Sequence, residues 1–227
     1  MKIFIILIIC FYSSISYSFP IPKNNKASFD IIRKGKIIGN VLTTFQKDHN
    51  NHLTVSTDVN IEIKVLLVTL YDFMQSYQET WINNEFTKFV GHTKFEDERE
   101  YFINGEDDEK NFIAFGIDGD LLLDKNIIPL NYWNKDILKQ EQVFDTQKGI
   151  VRDIQATKIK DEIILLNNIE INSEKYILNL SSHPKDRDPM PQYTLWYSKK
   201  GELLKFTFKP WRDRKTVTTQ RNDGSFN

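Results

Sequence analysis

Short runs of apolar and β-branched residues alternate with polar turn pairs from Ser28 to the end of the chain. Runs of this length, separated by pairs that contain Gly or Asn, are typical of antiparallel β-strands joined by hairpins. Five such pairs predict hairpin turns: Lys34-Gly35, Asn83-Asn84, Asp118-Gly119, Asn167-Asn168 and Lys200-Gly201. The pattern therefore predicts an antiparallel meander.

The pattern of short strands and turn pairs is interrupted from Ile127 to Gln140, because Pro129 is followed there by apolar residues at mixed spacing. Such spacing predicts a short helix or a wide loop. No other segment forms a helix long enough to connect parallel strands, which argues against βαβ units and a Rossmann-type nucleotide site. We predict an all-β fold, a single antiparallel curved sheet in a half-barrel or barrel-like meander with at most one short helix. Two stacked sheets are the alternative.

The first eighteen residues predict a cleavable signal peptide. Lys2 precedes the apolar run Ile3 to Phe11, and small polar residues lead to Ser18. This order matches the three regions of a secretory signal. The apolar run is shorter than the roughly 20 residues that span a bilayer, which argues against a membrane anchor. Lipid attachment at Cys10 is a second alternative, but Ile9 stands where a small residue is expected.

Cleavage after Ser18 divides the chain into a signal peptide (1–18), a linker (19–27) and a single antiparallel β domain (28–227). The protein is therefore expected to be exported, to the periplasm or the extracellular space, without a transmembrane segment in the mature chain. Since Cys10 is the one cysteine, the mature chain would contain no thiol, and disulfides, thiol nucleophiles and cysteine-based metal sites are excluded.

The formal charge of -1 gives no electrostatic reason for nucleic acid or an anionic membrane to bind. His49 and His52 are three positions apart in a polar loop without a fixed third ligand, so no metal site is predicted there. The chain has no nucleophile elbow, zinc-protease motif, phosphate loop or dinucleotide fingerprint, and no cofactor is expected. The acidic runs, including Asp186-Arg187-Asp188, are interpreted as solvated turns.

The Asn83-Asn84 turn allows a register to be predicted for its hairpin. An uninterrupted two-residue turn pairs Ile82 with Glu85, Trp81 with Phe86, Glu79 with Lys88, Tyr77 with Val90 and Gln75 with His92. Tyr77, Glu79 and Trp81 would then share a face with Lys88 and His92. Glu79 is either a desolvated acid in an apolar concavity or, as the favoured alternative, one partner of a cross-strand ion pair with Lys88 on the rim of the sheet.

Aromatic residues are abundant, and in β proteins most of them fill the core. A curved sheet that its side chains do not fill completely can also hold one small apolar ligand. The predicted ligand-binding residues combine the hairpin face with two further tryptophans: Tyr77, Glu79, Trp81, Lys88, His92, Trp133 and Trp196.

The residue order also resembles that of an uncharacterised bacterial family of secreted, β-rich proteins of unknown function. The resemblance rests on Phe29-Asp30, Gly35-Lys36 with Gly39, Tyr77-x-Glu79-x-Trp81, His92-Thr93, Trp133, and Trp196-Tyr197 before a hairpin to Phe206. It covers nearly the whole mature chain and implies an architecture, with no catalytic residues. Half-barrel relatives in the cell envelope imply the handling of lipids or other apolar ligands.

Three functions follow from these observations. The first is a non-enzymatic envelope protein that binds a lipid or another apolar molecule on a concave aromatic face. The second is a structural or interaction module with an envelope protein as its partner, acting through a sheet edge or the segment His183 to Pro191. The third is a secreted enzyme that uses Glu79 with His92 or Tyr77.

Overall fold

The computed structural model describes residues 19–65, 68–96, 99–211 and 214–224, so the predicted signal peptide lies outside the described residues. The described chain forms fourteen β-strands and one 3₁₀ helix, Lys135–Lys139. The strands are β1 (Lys26–Arg33), β2 (Lys36–Lys47), β3 (Leu53–Val65), β4 (Val68–Ile82), β5 (Glu85–Lys94), β6 (Glu100–Asp107), β7 (Asn111–Gly116), β8 (Gly119–Asp124), β9 (Gln142–Asp145), β10 (Ile150–Leu166), β11 (Ile169–Leu180), β12 (Tyr193–Ser198), β13 (Leu203–Phe208) and β14 (Val217–Arg221).

All fourteen strands form one sheet in the order β8-β7-β6-β5-β4-β3-β2-β1-β14-β13-β12-β11-β10-β9. Every strand pair in it is antiparallel, and each joins strands consecutive in the chain except β1 with β14, where Phe29 lies opposite Arg221. The predicted all-β class and single curved antiparallel sheet are confirmed. All five predicted hairpins are present, and Asn83, Asn84, Asn167 and Asn168 adopt the positive φ that such turns require. At β7–β8 the turn residues are Ile117 and Asp118 in place of the predicted Asp118-Gly119, because Gly119 already pairs with Gly116.

The sheet is curved but does not close through a continuous β8–β9 ladder. Register shifts interrupt five strand pairs, and bulges of this kind bend a sheet and increase its twist. The two ends approach each other where the Ile117 N–H donates to the Lys148 carbonyl at 2.9 Å. Gly116 and Gly149 touch at this seam, since a Cβ on Gly116 would lie 1.9 Å from the Gly149 carbonyl oxygen.

The connection between β8 and β9 enters the interior of the curved sheet. We call residues 127–139 the plug. Leu130 donates to the Phe144 carbonyl at 2.7 Å and Phe144 donates to the Ile128 carbonyl at 2.9 Å, so the plug pairs with β9. Trp133 and Ile137 are buried in the main core. Of the two predicted alternatives for 127–140, a short helix or a wide loop, the structure has a short helix at Lys135–Lys139, and the segment packs into the core.

The segment predicted as a linker also contributes to packing. The Phe19 ring lies 5.0 Å from that of Trp81 and 5.4 Å from that of Trp133, both in edge-to-face geometry. Ile21 packs against the same core. The residues before β1, from Phe19 onward, therefore pack against the core, and Lys26 and Ala27 of the predicted linker already belong to β1.

The predicted register of the β4–β5 hairpin is correct only next to its turn. Ile82 faces Glu85 and Trp81 faces Phe86, but a bulge then places Lys88 opposite Thr80. Thr87 is the extra residue, and its hydroxyl donates to the Thr80 carbonyl at 3.2 Å. Beyond the bulge Glu79 faces Phe89, Tyr77 faces Gly91 and Gln75 faces Thr93, so the predicted pairs Glu79–Lys88, Tyr77–Val90 and Gln75–His92 are wrong.

Candidate functional site

The predicted site residues divide between the two faces of the sheet. Tyr77, Glu79, Trp81 and Trp133 are all buried in the interior. Lys88 and His92 lie on the outer face of β5, because the bulge at Thr87 moved Phe89 and Thr93 inward in their place. The prediction that Lys88 and His92 share a face with Glu79 is therefore wrong.

The outer-face residues have their own partners. Lys88 pairs with Glu106 at 3.3 Å, and both side chains are at least half exposed. The His92 ring stacks on that of Phe102 with centroids 4.5 Å apart. These contacts are typical of a solvated sheet surface, where such pairs contribute less than about 1 kcal/mol.

Trp196 is also separated from the interior site. Its neighbours Leu195 and Tyr197 belong to the core, whereas the Trp196 indole donates to Glu162. The ammonium groups of Lys175 and Lys205 lie 5.0 and 5.1 Å from its ring. Trp196 is therefore covered by charged side chains of the outer face, in a cation–π arrangement.

Glu79 is fully buried and accepts hydrogen bonds from neutral donors. The Trp81 indole N–H donates at 2.9 Å, the Asn131 amide donates to both carboxyl oxygens at 2.9 and 3.0 Å, and the Trp133 indole N–H lies at 3.4 Å. Burial raises the pKa of Glu79 and these donors oppose the rise, which leaves it at about 7. Since Asn131 and Trp133 belong to the plug, Glu79 fixes the plug to β4.

An inner chamber of about 190 Å³ lies beside this anchor. Its wall is formed by the interior faces of β1–β4, by β13 and β14, by the plug, and by Asp145, Thr146, Gln147, Met190 and Tyr193. Phe29, Val41, Val59, Phe73 and Phe206 represent the apolar side chains that dominate the wall. Tyr77 and Trp133 also line it, so two of the predicted ligand-binding residues lie at this cavity.

Several polar side chains also line the inner chamber, and some of them bond to each other. The hydroxyls of Thr43 and Thr57 are 3.0 Å apart, and the Gln75 amide donates to the Thr146 carbonyl at 3.0 Å. Burial and the charge of Glu79 raise the pKa of Tyr77, which keeps its hydroxyl protonated beside Thr57. The wall of the chamber is therefore mostly apolar, with hydrogen-bonded polar side chains among the apolar ones.

An outer chamber of about 540 Å³ adjoins the inner one. Ile61, Gln147, Met190, Phe208 and Val217 line both. The outer wall differs in chemistry, because charged residues surround its apolar floor. The described charged residues of this wall are Arg33, Glu96, Arg99, Lys148, Arg152, Asp186, Arg187 and Asp188.

A buried ion-pair network forms one side of the outer chamber. The Arg152 guanidinium, 1% exposed, donates to Asp145 and forms two 2.8 Å bonds with Asp186. Lys148 also pairs with Asp186, and the His183 backbone N–H donates to the same carboxylate at 2.7 Å. These donors hold the pKa of Asp186 well below its ordinary value despite its burial. The network fixes the segment that begins at His183 against β10.

Asp186 corrects the interpretation of Asp186-Arg187-Asp188 as a solvated turn. Its side chain is only 5% exposed. Its charged partners Arg152 and Lys148 lie 34 and 38 residues away along the chain, so the ion pairs have no local sequence signal. The burial of the plug did have a sequence signal. Ile127, Ile128 and Leu130 make this segment more apolar than a surface loop usually is.

Comparison with known proteins identifies the family. The sequence model of a family described as "Domain of unknown function (DUF6134)" matches residues 29–221. A crystal structure from Brucella abortus, of a beta-barrel-like protein of the domain of unknown function DUF1849, is similar with a TM-score of 0.61 at 10% identity. That alignment covers 87% of this chain and 94% of the other, and at such low identity it shows the fold alone. No curated protein matches the chain. Because the family model spans most of its length, the chain belongs to the DUF6134 family.

Proposed function

We propose that this protein is an exported, non-enzymatic β protein that binds an apolar small molecule, such as a lipid, within its curved sheet. The observation that carries the proposal is the pair of adjoining chambers. The inner one is apolar, and the outer one, at about 540 Å³, falls in the range of roughly 300 to 1,000 Å³ that is usual for ligand pockets. The aromatic side chains do not fill the interior, although the plug occupies part of it.

The geometry favours binding over catalysis by the predicted residues. Glu79 lies inside the sheet and His92 outside, so they cannot act on one substrate. The carboxyl of Glu79 is already occupied by Trp81 and the two plug residues. A general acid or base needs a reacting proton within hydrogen-bond distance, and these contacts leave Glu79 with an anchoring role.

Cavity-filling variants test the proposal. Val59 lines the inner chamber, so Val59→Trp should place an indole in the space for a ligand. Val90→Trp adds the same side chain on the outer face, where Val90 is 52% exposed. The mature protein and both variants would be purified natively, extracted with organic solvent and analysed by mass spectrometry.

We expect an apolar molecule to co-purify at near-stoichiometric amounts with the mature protein and with Val90→Trp, and to be lost from folded Val59→Trp. Circular dichroism establishes that each variant is folded. Equal amounts in both variants, or none in the parent protein with no binding of added lipid, would overturn the proposal.

Export is the second part of the proposal and rests on Lys2, the apolar run and Ser18. Among the described residues no helix has the length and apolar character needed to cross a membrane. Expression of the full chain, compared with a chain that lacks residues 1–18, should give an exported form whose first residue is Phe19, while the shortened form stays inside the cell. Retention of both forms would contradict export.

One observation favours the alternative of an interaction module. The outer face of β5–β8 carries an apolar stripe of exposed residues, namely Val90, Phe102, Ile113, Phe115 and Leu122. Exposed apolar patches often mark protein interaction sites. A photo-crosslinking residue at Leu122 would form a discrete adduct in intact cells if an envelope partner docks there, whereas one at the exposed Asp58 of β3 would not.

A further inference from the structure

The side chain of Gln75 places a hydrogen-bond acceptor in the wall of the inner chamber. Gln75 is only 4% exposed and lines this chamber from β4. Its amide nitrogen donates to the Thr146 carbonyl at 3.0 Å and lies 3.4 Å from the Thr146 hydroxyl. Because a carbonyl oxygen can only accept, these contacts hold the amide nitrogen against Thr146 and turn the amide oxygen, Oε1, away from it.

Gln75 Oε1 borders open space. Within the described part of the chain, no hydrogen bond reaches this atom. The fully enclosed polar side-chain atoms without a partner belong to His92, Thr93 and Glu202, and Gln75 is not among them. The open space that Gln75 lines is the inner chamber, so Oε1 is accessible from there. Thr93 lies opposite Gln75 on β5, but its hydroxyl also lacks a partner, so these two side chains are not bonded to each other.

An open acceptor in a mostly apolar wall discriminates between ligands. A hydrocarbon that covered Oε1 would remove it from water without replacing its hydrogen bond, which is costly. A ligand with a neutral donor at this point would form the bond. A cationic donor would lose far more hydration, and the Asp145 carboxylate in the same wall is already paired with Arg152. The chamber therefore favours a neutral donor.

We propose that the ligand is an apolar molecule with a neutral hydrogen-bond donor, of which a hydroxyl group is the simplest, and that this group donates to Gln75 Oε1. Gln75 lines the inner chamber and not the outer one, so the hydroxyl lies in the inner chamber. The hydrocarbon part extends past Phe208 and Val217, which line both chambers. The inference rests on the proposed function and adds to it the polar group of the ligand and its position.

Three probes of nearly equal length separate the donor from the hydrocarbon: 1-octanol, heptyl methyl ether and octylammonium. The ether accepts hydrogen bonds but cannot donate one, and the ammonium is a charged donor at about pH 7. Each would be titrated, below its solubility limit, into the delipidated mature protein. Trp133 lines the inner chamber, so tryptophan fluorescence reports its occupation, and calorimetry gives the affinity.

Two variants and a control locate the acceptor. Gln75→Met removes the amide and keeps a side chain of similar size. Thr219→Val removes another hydroxyl that lines the inner chamber and is without a hydrogen bond in the described part of the chain. Gln78→Met is the matched control, because Gln78 is exposed on the other face of the same strand. Since Gln75→Met also removes the donor to Thr146, circular dichroism establishes that it is folded.

We expect the parent protein, Thr219→Val and Gln78→Met to bind 1-octanol about tenfold more tightly than heptyl methyl ether, and octylammonium most weakly. In Gln75→Met the ether should bind at least as tightly as the alcohol, because an alcohol loses more hydration on entering an apolar site.

Equal affinity of the parent protein for 1-octanol and the ether overturns the inference and leaves apolar binding intact. A preference for the alcohol that survives in folded Gln75→Met, or that disappears in Thr219→Val, overturns the assignment to Gln75. If Gln75→Met does not fold, the parent protein and Thr219→Val still give this decision. Binding of none of the probes overturns the proposed function itself.

Discussion

Replacing Glu79 by Gln should change how the stability of the protein depends on pH. The carboxyl of Glu79 is fully buried, and its pKa in the folded protein is about 7, compared with an ordinary value of 4.5. A group that binds its proton more tightly in the folded state stabilises the fold at low pH. This stabilisation is fully present below the unfolded-state pKa and is lost as the pH rises through the folded-state pKa.

The size of the effect follows from the shift. One pKa unit corresponds to about 1.4 kcal/mol, so the difference between 4.5 and about 7 amounts to about 3 kcal/mol. The free energy of unfolding of the parent protein should therefore fall by about 3 kcal/mol, relative to Glu79→Gln, between about pH 4.5 and about pH 8. The glutamine itself costs about 1 to 3 kcal/mol at every pH, since its NH₂ group faces the N–H donors of Trp81, Asn131 or Trp133.

Urea unfolding at closely spaced pH values, followed by tryptophan fluorescence and circular dichroism, measures this difference. At each pH the free energy of unfolding of the variant is subtracted from that of the parent, which removes the contribution of every other titrating group. Glu106→Gln is the matched control, because Glu106 is 70% exposed and its replacement should leave the pH profile almost parallel to that of the parent. The reasoning would be refuted if the free energy of unfolding of the parent, minus that of Glu79→Gln, stayed constant or grew between about pH 4.5 and about pH 8.

Two further substitutions test the packing around the site. Gly116→Ala should destabilise the protein by several kcal/mol, because its Cβ would meet the backbone of Gly149 at 1.9 Å, and thermal unfolding with amide exchange at β7 and β10 measures the loss. A change below about 0.5 kcal/mol would contradict this contact. Arg152→Ala should cost about 3 to 5 kcal/mol in urea unfolding, since it leaves buried carboxylates without their cation, whereas Lys88→Gln removes a surface pair and should cost less than about 1 kcal/mol. If Arg152→Ala and Lys88→Gln lowered the free energy of unfolding by similar amounts, the result would argue against the buried network.

The sequence predicted the features that local chemistry determines. Asn83-Asn84 and Asn167-Asn168 form hairpin turns because asparagine tolerates the positive φ of such turns, and no distant residue is needed for this. The all-β class and the single antiparallel sheet follow from such turns in series. The two-residue period of β4 places Tyr77, Glu79 and Trp81 on one face, as predicted. The favoured prediction that Glu79 lies on the rim in an ion pair with Lys88 was wrong, because Glu79 is fully buried.

The sequence did not predict features that depend on a local irregularity or on distant contacts. The bulge at Thr87 shifts the inward positions of β5 by one residue, and the three-residue spacing of Phe86 and Phe89 was its signal. Arg152 and Asp186 meet only through the folded sheet, so neither residue indicated a buried pair. The anchoring of Glu79 likewise depends on Asn131, 52 residues away in the plug.

The pairing of β1 with β14 has a consequence for how the chain reaches its folded state. Phe29 and Arg221 are near opposite ends of the polypeptide, whereas the other ladders join chain neighbours. Hairpins between neighbouring strands form quickly, whereas pairing of segments distant in the chain requires closure of a long loop. We therefore expect two separately assembled meanders, β1–β8 and β9–β14, whose pairing at this ladder limits the folding rate and completes the wall of the interior.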